Sequence, residues 1–312
     1  MLTLQNIVRN STANQKRETI GPGFADALTK LYFELGASMW DMNKVRWQLM
    51  ILRGREERYV GDATFIGIHT DERPPGLRVY AGRGSSDAST YQEAVDVLKR
   101  YKAWHRVSQS VRDYLEKADP RYATRRPGEY DGKQHYHFRI MGPEYMLEAA
   151  RMRAQELGIN VAILASSVSD IEAHAVGEML AYMAQEIEVY DRPFKKPCML
   201  LCGGELLVTF GKESGKGGRN QEFALSAAPR IEDTGSIVVA SADSDGTDGP
   251  TDAAGGIVDN DTMRRTRDAG IDVYEELSEH NSYQALTELG DTITTGAQGT
   301  NVQDLRLVYI GK

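Results

Sequence analysis

The chain has 312 residues, 41% of them apolar, and a formal net charge of −8. That length and apolar content suffice for one large or two moderate cores and favour two domains, while the negative charge opposes nucleic acid or an anionic membrane surface over most of the protein. No apolar run is long enough to cross a bilayer, and the opening MLTLQNIVRNSTANQKRETIG turns polar too early for a signal peptide, so a cytoplasmic protein acting on a small molecule is expected.

In chain order, FADALTKLYFELGAS and MWDMNKVRWQLMIL carry apolar residues at helical spacing with Gly36 between them, which predicts a helical pair. ATFIGIH at 63–69 predicts a short strand, followed by the breaker Pro74-Pro75-Gly76. Ser89 as N-cap, with Glu93 nearby, predicts a helix over TYQEAVDVLKRYKAW. The polar stretch ADPRYATRRPGEYDGK at 118–133 has no periodicity and reads as a loop or lid. HYHFRIM, EYMLEAARMRAQELG, NVAILAS and DIEAHAVGEMLAYMAQEIEVY then predict strand, helix, strand and helix, with Gly158 closing the first helix in the left-handed conformation.

DRPFKKP, a basic turn flanked by prolines, predicts a joint between a domain over 1–190 and a second over 191–312. Beyond it, CMLLCGG and LLVTF predict paired strands, RNQEFALSAAPRI a helix, SIVVASA a strand, NSYQALTEL a helix and LRLVYIG a final strand. The alternation predicts an α/β fold, two domains of mixed or parallel sheet covered by helices. Cys198 and Cys202 stagger along the CMLLC strand with no histidine near enough to complete a zinc site, so they read as buried thiols.

Three loops carry the candidate chemistry. In GKESGKGGRNQE, Gly211, Gly215, Gly217 and Gly218 permit close backbone approach, the helix starting near Arg219 offers unpaired amides, and Lys212, Lys216 and Arg219 add positive charge. That combination suits a phosphate or carboxylate; the other reading is a glycine-rich hairpin before an ordinary helix. It is not a Walker A loop, because three residues rather than four precede Gly215-Lys216 and Gly217 follows the lysine. In SADSDGTDGPTDAAGG, Asp243, Asp245, Asp248 and Asp252 follow the carboxyl end of a buried strand, where α/β sheets place ligands, and their mutual repulsion calls for a divalent metal, a basic loop or hydrogen-bond donors. Aspartates in such a turn-forming stretch also act structurally, and the spacing excludes an EF-hand.

The third loop, TTGAQGTNVQDL, sets Gly296 and Gly299 among Thr, Gln and Asn, either to reach a ligand through amides or as a surface turn. Asn281 is read as a local helix cap, with Gln284 reaching back. His135 and His137 share a strand face but lack a third ligand; GRGSSD lacks the third glycine of a dinucleotide fingerprint, and no Gly-x-Ser-x-Gly elbow occurs.

In their order, GGRNQEFALSAA, SADSDGTDGPTDAAGGIVD, HNSYQAL and TTGAQGTNVQDL resemble the closing motifs of the glycerate 2-kinases of the MOFRL family. Similarity extends upstream through LGASMWDMNKVR, DASTYQEAVDVLKRY and DRPFKKPCMLLCGGELLVTF. The resemblance implies two α/β domains, with residues 191–312 of MOFRL type and 1–190 a divergent or truncated counterpart of the family's first domain. It also implies ATP-dependent transfer of a phosphoryl group to the 2-hydroxyl of D-glycerate or a related sugar acid, in a cleft between them. Arg219 matches the family's arginine that stabilises the transferring group, and Lys216, Gly217, Gly218, Asn220, Glu222, Gly296, Gly299, Thr300 and Asn301 fall in the motifs expected to bind substrate or nucleotide. Asp243, Asp245, Asp248 and Asp252 would hold Mg²⁺ or orient hydroxyls, since phosphoryl transfer demands charge neutralisation above all.

The family's Gly-Lys-Ala motif, with its catalytic lysine, and its Gly-Gly-Gly-Ser-Ser loop have no counterpart in these residues. Three readings follow: a kinase that recruits Lys44, Arg53, Arg55 or Arg83 instead; a homologue that binds ligand without turnover; or a chain whose missing segment comes from a partner or a homo-oligomer. A hydroxypyruvate reductase, a name also applied in the family, is a further alternative without motif support.

Overall fold

The computed structural model describes residues 37, 39–50, 55, 60–70, 89–124, 132–209 and 215–312. The helix expected over 24–38 and the candidate residues Arg53, Arg83, Gly211 and Lys212 lie outside that set. The chain forms two compact units, one of Met1–His69 with Gly76–Ile140 and one of Thr70–Pro75 with Met141–Lys312.

In the first unit, α1 (Met39–Leu49) precedes β1 (Phe65–Thr70), α2 (Tyr91–Arg100), α3 (Gln109–Lys117) and β2 (His135–Met141), which pairs with β1 in a two-stranded sheet. The helices close over Met42, Val45, Leu98, Val111 and Leu115. Thr90, not Ser89, caps α2: its hydroxyl accepts from the Glu93 amide, and the Glu93 carboxylate accepts from the Thr90 amide at 2.8 Å. Ser89 is buried instead, its hydroxyl accepting from Gln48 Nε2 at 3.0 Å. Helix α3 has no counterpart in the sequence reading, because only Val111 and Leu115 mark its inner face.

The second unit begins with α4 (Pro143–Glu156), β3 (Asn160–Ala165), α5 (Ala173–Tyr190) and β4 (Cys198–Cys202). It continues through α6 (Arg219–Ile231), β5 (Ile237–Asp243), β6 (Gly255–Asp259), α7 (Thr262–Ala269), α8 (Val273–Ser278), α9 (Ser282–Leu289), β7 (Thr292–Ile293) and β8 (Asp304–Ile310). Six strands order as β3-β4-β8-β5-β6-β7; β3 and β4 are parallel and the other pairings antiparallel. Because β3 pairs with β4 across DRPFKKP, that stretch joins two neighbours within one sheet, and the division between units falls at Ile140/Met141. Among the described residues of LLVTF, 206–209, no strand forms beside β4: Leu207 makes a single bridge to Glu172, and β4 is flanked by β3 and β8.

Leu200, Cys202, Val239, Val258 and Val308 of the sheet pack with Ala173, Leu180 and Ala184 of α5 and Phe223, Leu225 and Ile231 of α6. The two helices cross at Gly177, where a Cβ would stand 2.3 Å from the Phe223 carbonyl oxygen, so glycine is what permits the contact. Cys198 and Cys202 are free and buried as expected, and burial pushes both thiols up. No helix among the described residues is long and apolar enough to cross a membrane.

Strand β8, the last in sequence, inserts between β4 and β5 in antiparallel register, setting Asp243 opposite Asp304 and Cys202 opposite Arg306. The carboxyl ends of β4 and β5 and the amino end of β8 therefore share one margin of the sheet, and the first turn of α6 lies against it.

Candidate active site

Arg219 opens α6 and reaches three carboxylates. Its Nε donates to Asp304 Oδ1 and Oδ2 at 3.2 and 2.9 Å; Nη2 donates to Asp304 Oδ1 at 3.0 Å and to Asp243 Oδ2; Nη1 pairs with Glu205 Oε1 at 3.2 Å. Beneath it, the wholly buried Arg306 donates to Asp304 Oδ2 at 3.2 Å and to the Gly203 carbonyl at 2.7 Å. Asn220 Nδ2 adds a bond to Asp304 Oδ1 at 3.0 Å, and the Ser241 hydroxyl donates to Asn220 Oδ1. Burial works against the Arg219 charge, but Asp304, Glu205 and Asp243 outweigh it and hold the guanidinium above its ordinary range. Burial, and next to it the charge of Asp304, pushes Asp243 up to about 7 against the opposing hydrogen bond from Asp245 N–H and the charge of Arg219. The result is a fixed cation in a cluster where carboxylates outnumber guanidiniums.

The amides at the start of α6, expected to face a phosphate or a carboxylate, face the carboxylate of Asp248. Asp248 accepts from Asn220 N at 3.1 Å, from Gln221 N at 2.9 Å and from Gln221 Nε2 at 2.9 Å, and its side chain is fully buried. A carboxylate at a helix start satisfies orphan amides and the positive end of the helix dipole, so the helix start is spent internally. Gly218 explains the glycine there: a Cβ would lie 2.3 Å from the Asp248 carboxyl carbon. Asp248 thus caps the start of α6. Burial raises its carboxyl above the usual range, opposed by the Gln221 and Asn220 bonds.

The other expected residues make contacts of their own. Gly217 is buried against Ser282, while exposed Lys216 lies over the Tyr283 ring at 4.3 Å; the Tyr283 hydroxyl donates to exposed Asp252 at 2.6 Å. Asp245 accepts from Thr247 N at 2.9 Å and from Asn301 Nδ2 at 3.1 Å, tying the acidic loop to the third loop. Gly296 closes against Gly246, whereas Gly299 and Thr300 are exposed. Asn281 does not cap its helix through its side chain; Asn281 Oδ1 accepts from Lys216 N at 3.0 Å and its Nδ2 donates to Glu276 and Gln284, so it pins the glycine loop. Glu222 points away from Arg219 toward His280 and His174.

Sequence reasoning missed Glu205, Asp304 and Arg306. Asp304 ends the quoted motif TTGAQGTNVQDL, but no local pattern shows that its partner is 85 positions earlier. Among the substitutes considered for a missing lysine, Arg55 is buried and donates to the Tyr122 carbonyl at 2.7 Å, the Trp47 carbonyl at 3.1 Å and the Met50 carbonyl, and Lys44 pairs with Asp41 at 3.2 Å. Both serve the first unit's structure.

Residues 198–304 match the MOFRL family model. The chain is 36% identical over 284 residues to the glycerate 2-kinase of Pyrococcus horikoshii, covering 90% of this chain and 64% of that protein. It is likewise 36% identical over 282 residues to the D-glycerate 2-kinase of Thermotoga maritima, covering 89% of this chain and 64% of that protein. It therefore spans a little under two thirds of the length of these curated relatives. The crystal structure of glycerate kinase from Thermotoga maritima superposes with a TM-score of 0.73 at 34% identity, covering 93% of this chain and 68% of that one. With motifs, fold and whole-chain similarity in agreement, the chain belongs to the glycerate 2-kinase family that carries the MOFRL domain.

Proposed function

We propose that the chain acts in ATP-dependent phosphorylation of D-glycerate, or of a related small sugar acid, at the 2-hydroxyl. The observation that supports this most is the clamped guanidinium of Arg219. Phosphoryl transfer spreads charge over the equatorial oxygens of the moving group, and a preorganised cation that need not reorient stabilises that charge best. Two nitrogens of Arg219 are locked by the buried Asp304 and Asp243, whereas Nη1 meets Glu205, whose side chain is 40% exposed. An incoming anionic oxygen takes the place of Glu205 on Nη1. The exchange keeps the arginine paired throughout, and Glu205 is free to swing into solvent.

The four aspartates suit Mg²⁺ poorly. Asp248 is consumed by α6, Asp243 accepts from Arg219 and from Asp245 N, Asp245 is held by Thr247 and Asn301, and Asp252 by Tyr283. The α6 amides likewise do not suit the phosphates of ATP, so the mechanism here rests on Arg219 and its supports and takes no step through metal or nucleotide. In this reading the MOFRL-type part, 191–312, supplies the arginine and the loops around it, and the substrate is a small molecule.

The test is release of ADP by the purified chain in the presence of D-glycerate, ATP and Mg²⁺, run beside oxidation of NADH with hydroxypyruvate. D-glycerate-dependent ADP release that falls steeply in Arg219→Lys is expected. NADH oxidation without ADP release would replace the kinase reading with a reductase; a melting temperature raised by glycerate with neither activity would identify a binding protein.

A further inference from the structure

The opposite side of the α6 start carries a second cluster that the arginine site does not use. Glu222, one turn after Arg219, is buried with its side chain 3% exposed, and its Oε2 meets His280 Nδ1 at 2.8 Å. Its Oε1 lies 3.6 Å from Nδ1 of His174, the second residue of α5, which is about half exposed. Glu172, just before α5, is brought to the same place by the Glu172–Leu207 bridge, and its carboxylate accepts from Thr209 N at 3.3 Å and from the Thr209 hydroxyl. One donor atom from each of Glu172, His174 and Glu222 falls within 4.8 Å of the others.

We infer that Glu172, His174 and Glu222 form a site for one divalent first-row transition ion, Zn²⁺ or Mn²⁺, with His280 positioning Glu222 from behind. Donors bound at about 2.0–2.2 Å to a common ion stand roughly 3–4 Å apart, so small rotations close this triad, and the exposed His174 is free to make them. Each carboxylate oxygen already bonded to Thr209 or His280 retains a second lone pair for the ion. The donor set decides the class of ion. An imidazole beside two carboxylates suits zinc or manganese, whereas Mg²⁺ prefers oxygen ligands in octahedral array. The second bond of Glu222, to His280, is the kind of outer contact that orients a ligating group. Burial pushes the Glu222 carboxyl up and the nearby Glu172 charge pushes the same way, against His280 and His174; a dication relieves that repulsion. Three protein ligands leave a coordination position open, the pattern of a site that takes water or a ligand oxygen rather than of a closed structural one.

The site stands apart from the kinase reading, because it is tested by binding alone. The full chain, stripped with a chelator, is titrated with Zn²⁺ by calorimetry and with Mn²⁺ by electron paramagnetic resonance, without ATP or glycerate. Saturable binding of one equivalent of either ion is expected. Glu172→Gln and His174→Ala should each abolish it while melting like the parent, and His280→Gln should weaken it by about 10–100-fold. His105→Ala, at an exposed histidine of the first unit, should bind as the parent does. Absence of saturable binding for both ions overturns the proposal, as does binding that survives Glu172→Gln and His174→Ala.

Discussion

Arg55 in the first unit and Arg219 in the second are both largely withdrawn from water, yet their partners differ in kind. Arg55 donates to main-chain carbonyls of Trp47, Gln48, Met50 and Tyr122, dipoles at the end of α1 and in the segment after α3 that cannot be exchanged for anything else. Arg219 donates to carboxylates, two buried and one, Glu205, half in water. A guanidinium that satisfies carbonyls stiffens a fold. One held by carboxylates with an exchangeable member keeps its charge, its orientation and one contact free to trade, and only that arrangement is useful to an anionic substrate.

The sharpest way to break this comparison is to remove each arginine. Arg219→Ala leaves buried Asp243 without its guanidinium and Asp304 with Arg306 alone, and should cost about 3–5 kcal/mol, against about 1–3 kcal/mol for Arg55→Ala, where carbonyls lose donors. Urea denaturation of both variants tests the order, and an equal or reversed cost would remove the distinction. Because Arg219→Ala is this disruptive, activity is better judged with Arg219→Lys, which keeps charge and loses the fork. Turnover should fall by about 10²–10³-fold, with Arg55→Lys leaving it near the parent's; a silent Arg219→Lys would take Arg219 out of the chemistry.

Asp248→Ala, which frees the amides of Asn220 and Gln221, should destabilise by about 1–3 kcal/mol. If α6 were held open for a phosphate instead, inorganic phosphate would raise the melting temperature of the parent and the variant alike. Asp243 sets a pH dependence. Its folded value is pushed up to about 7 from an ordinary 3.8, so the folded form binds a proton that the unfolded form has released between those limits. Stability from this group is therefore fullest below about pH 4, declines by up to about 1.4 kcal/mol per unit as pH rises toward 7, and then levels off. Asp243→Asn should flatten the melting temperature between pH 5 and 7, and an unchanged profile would place the titration elsewhere. The smallest effect belongs to Lys44→Ala, about 0–1 kcal/mol, since Asp41 keeps Arg100 at 2.8 Å and the Tyr101 hydroxyl at 3.0 Å.

Much of the layout was legible in the sequence. Helical periodicity located α1, α2, α4, α5, α6 and α9, and the apolar runs located β1 to β5 and β8. Helix α3 and the pieces β6, α7, α8 and β7 escaped, because each carries too few apolar residues to imprint a period. The same holds at the site. Glycines in GGRNQE pointed to a close approach at the start of α6, and the aspartates after β5 pointed to a charged margin, and both are there.

What the sequence by itself determined was therefore the family, the α/β class and the loops that meet, because these depend on signals within one helix turn, one strand or one motif. Only the tertiary structure decided which charge neutralises which. The insertion of β8 between β4 and β5 sets Asp304 beside Asp243 and beneath Arg219, and the carboxylate of Asp248 occupies the helix start for which the sequence left phosphate or carboxylate open. Such pairings come from burying a whole sheet against two helices, and no local stretch of chain encodes a partner that the sheet order selects.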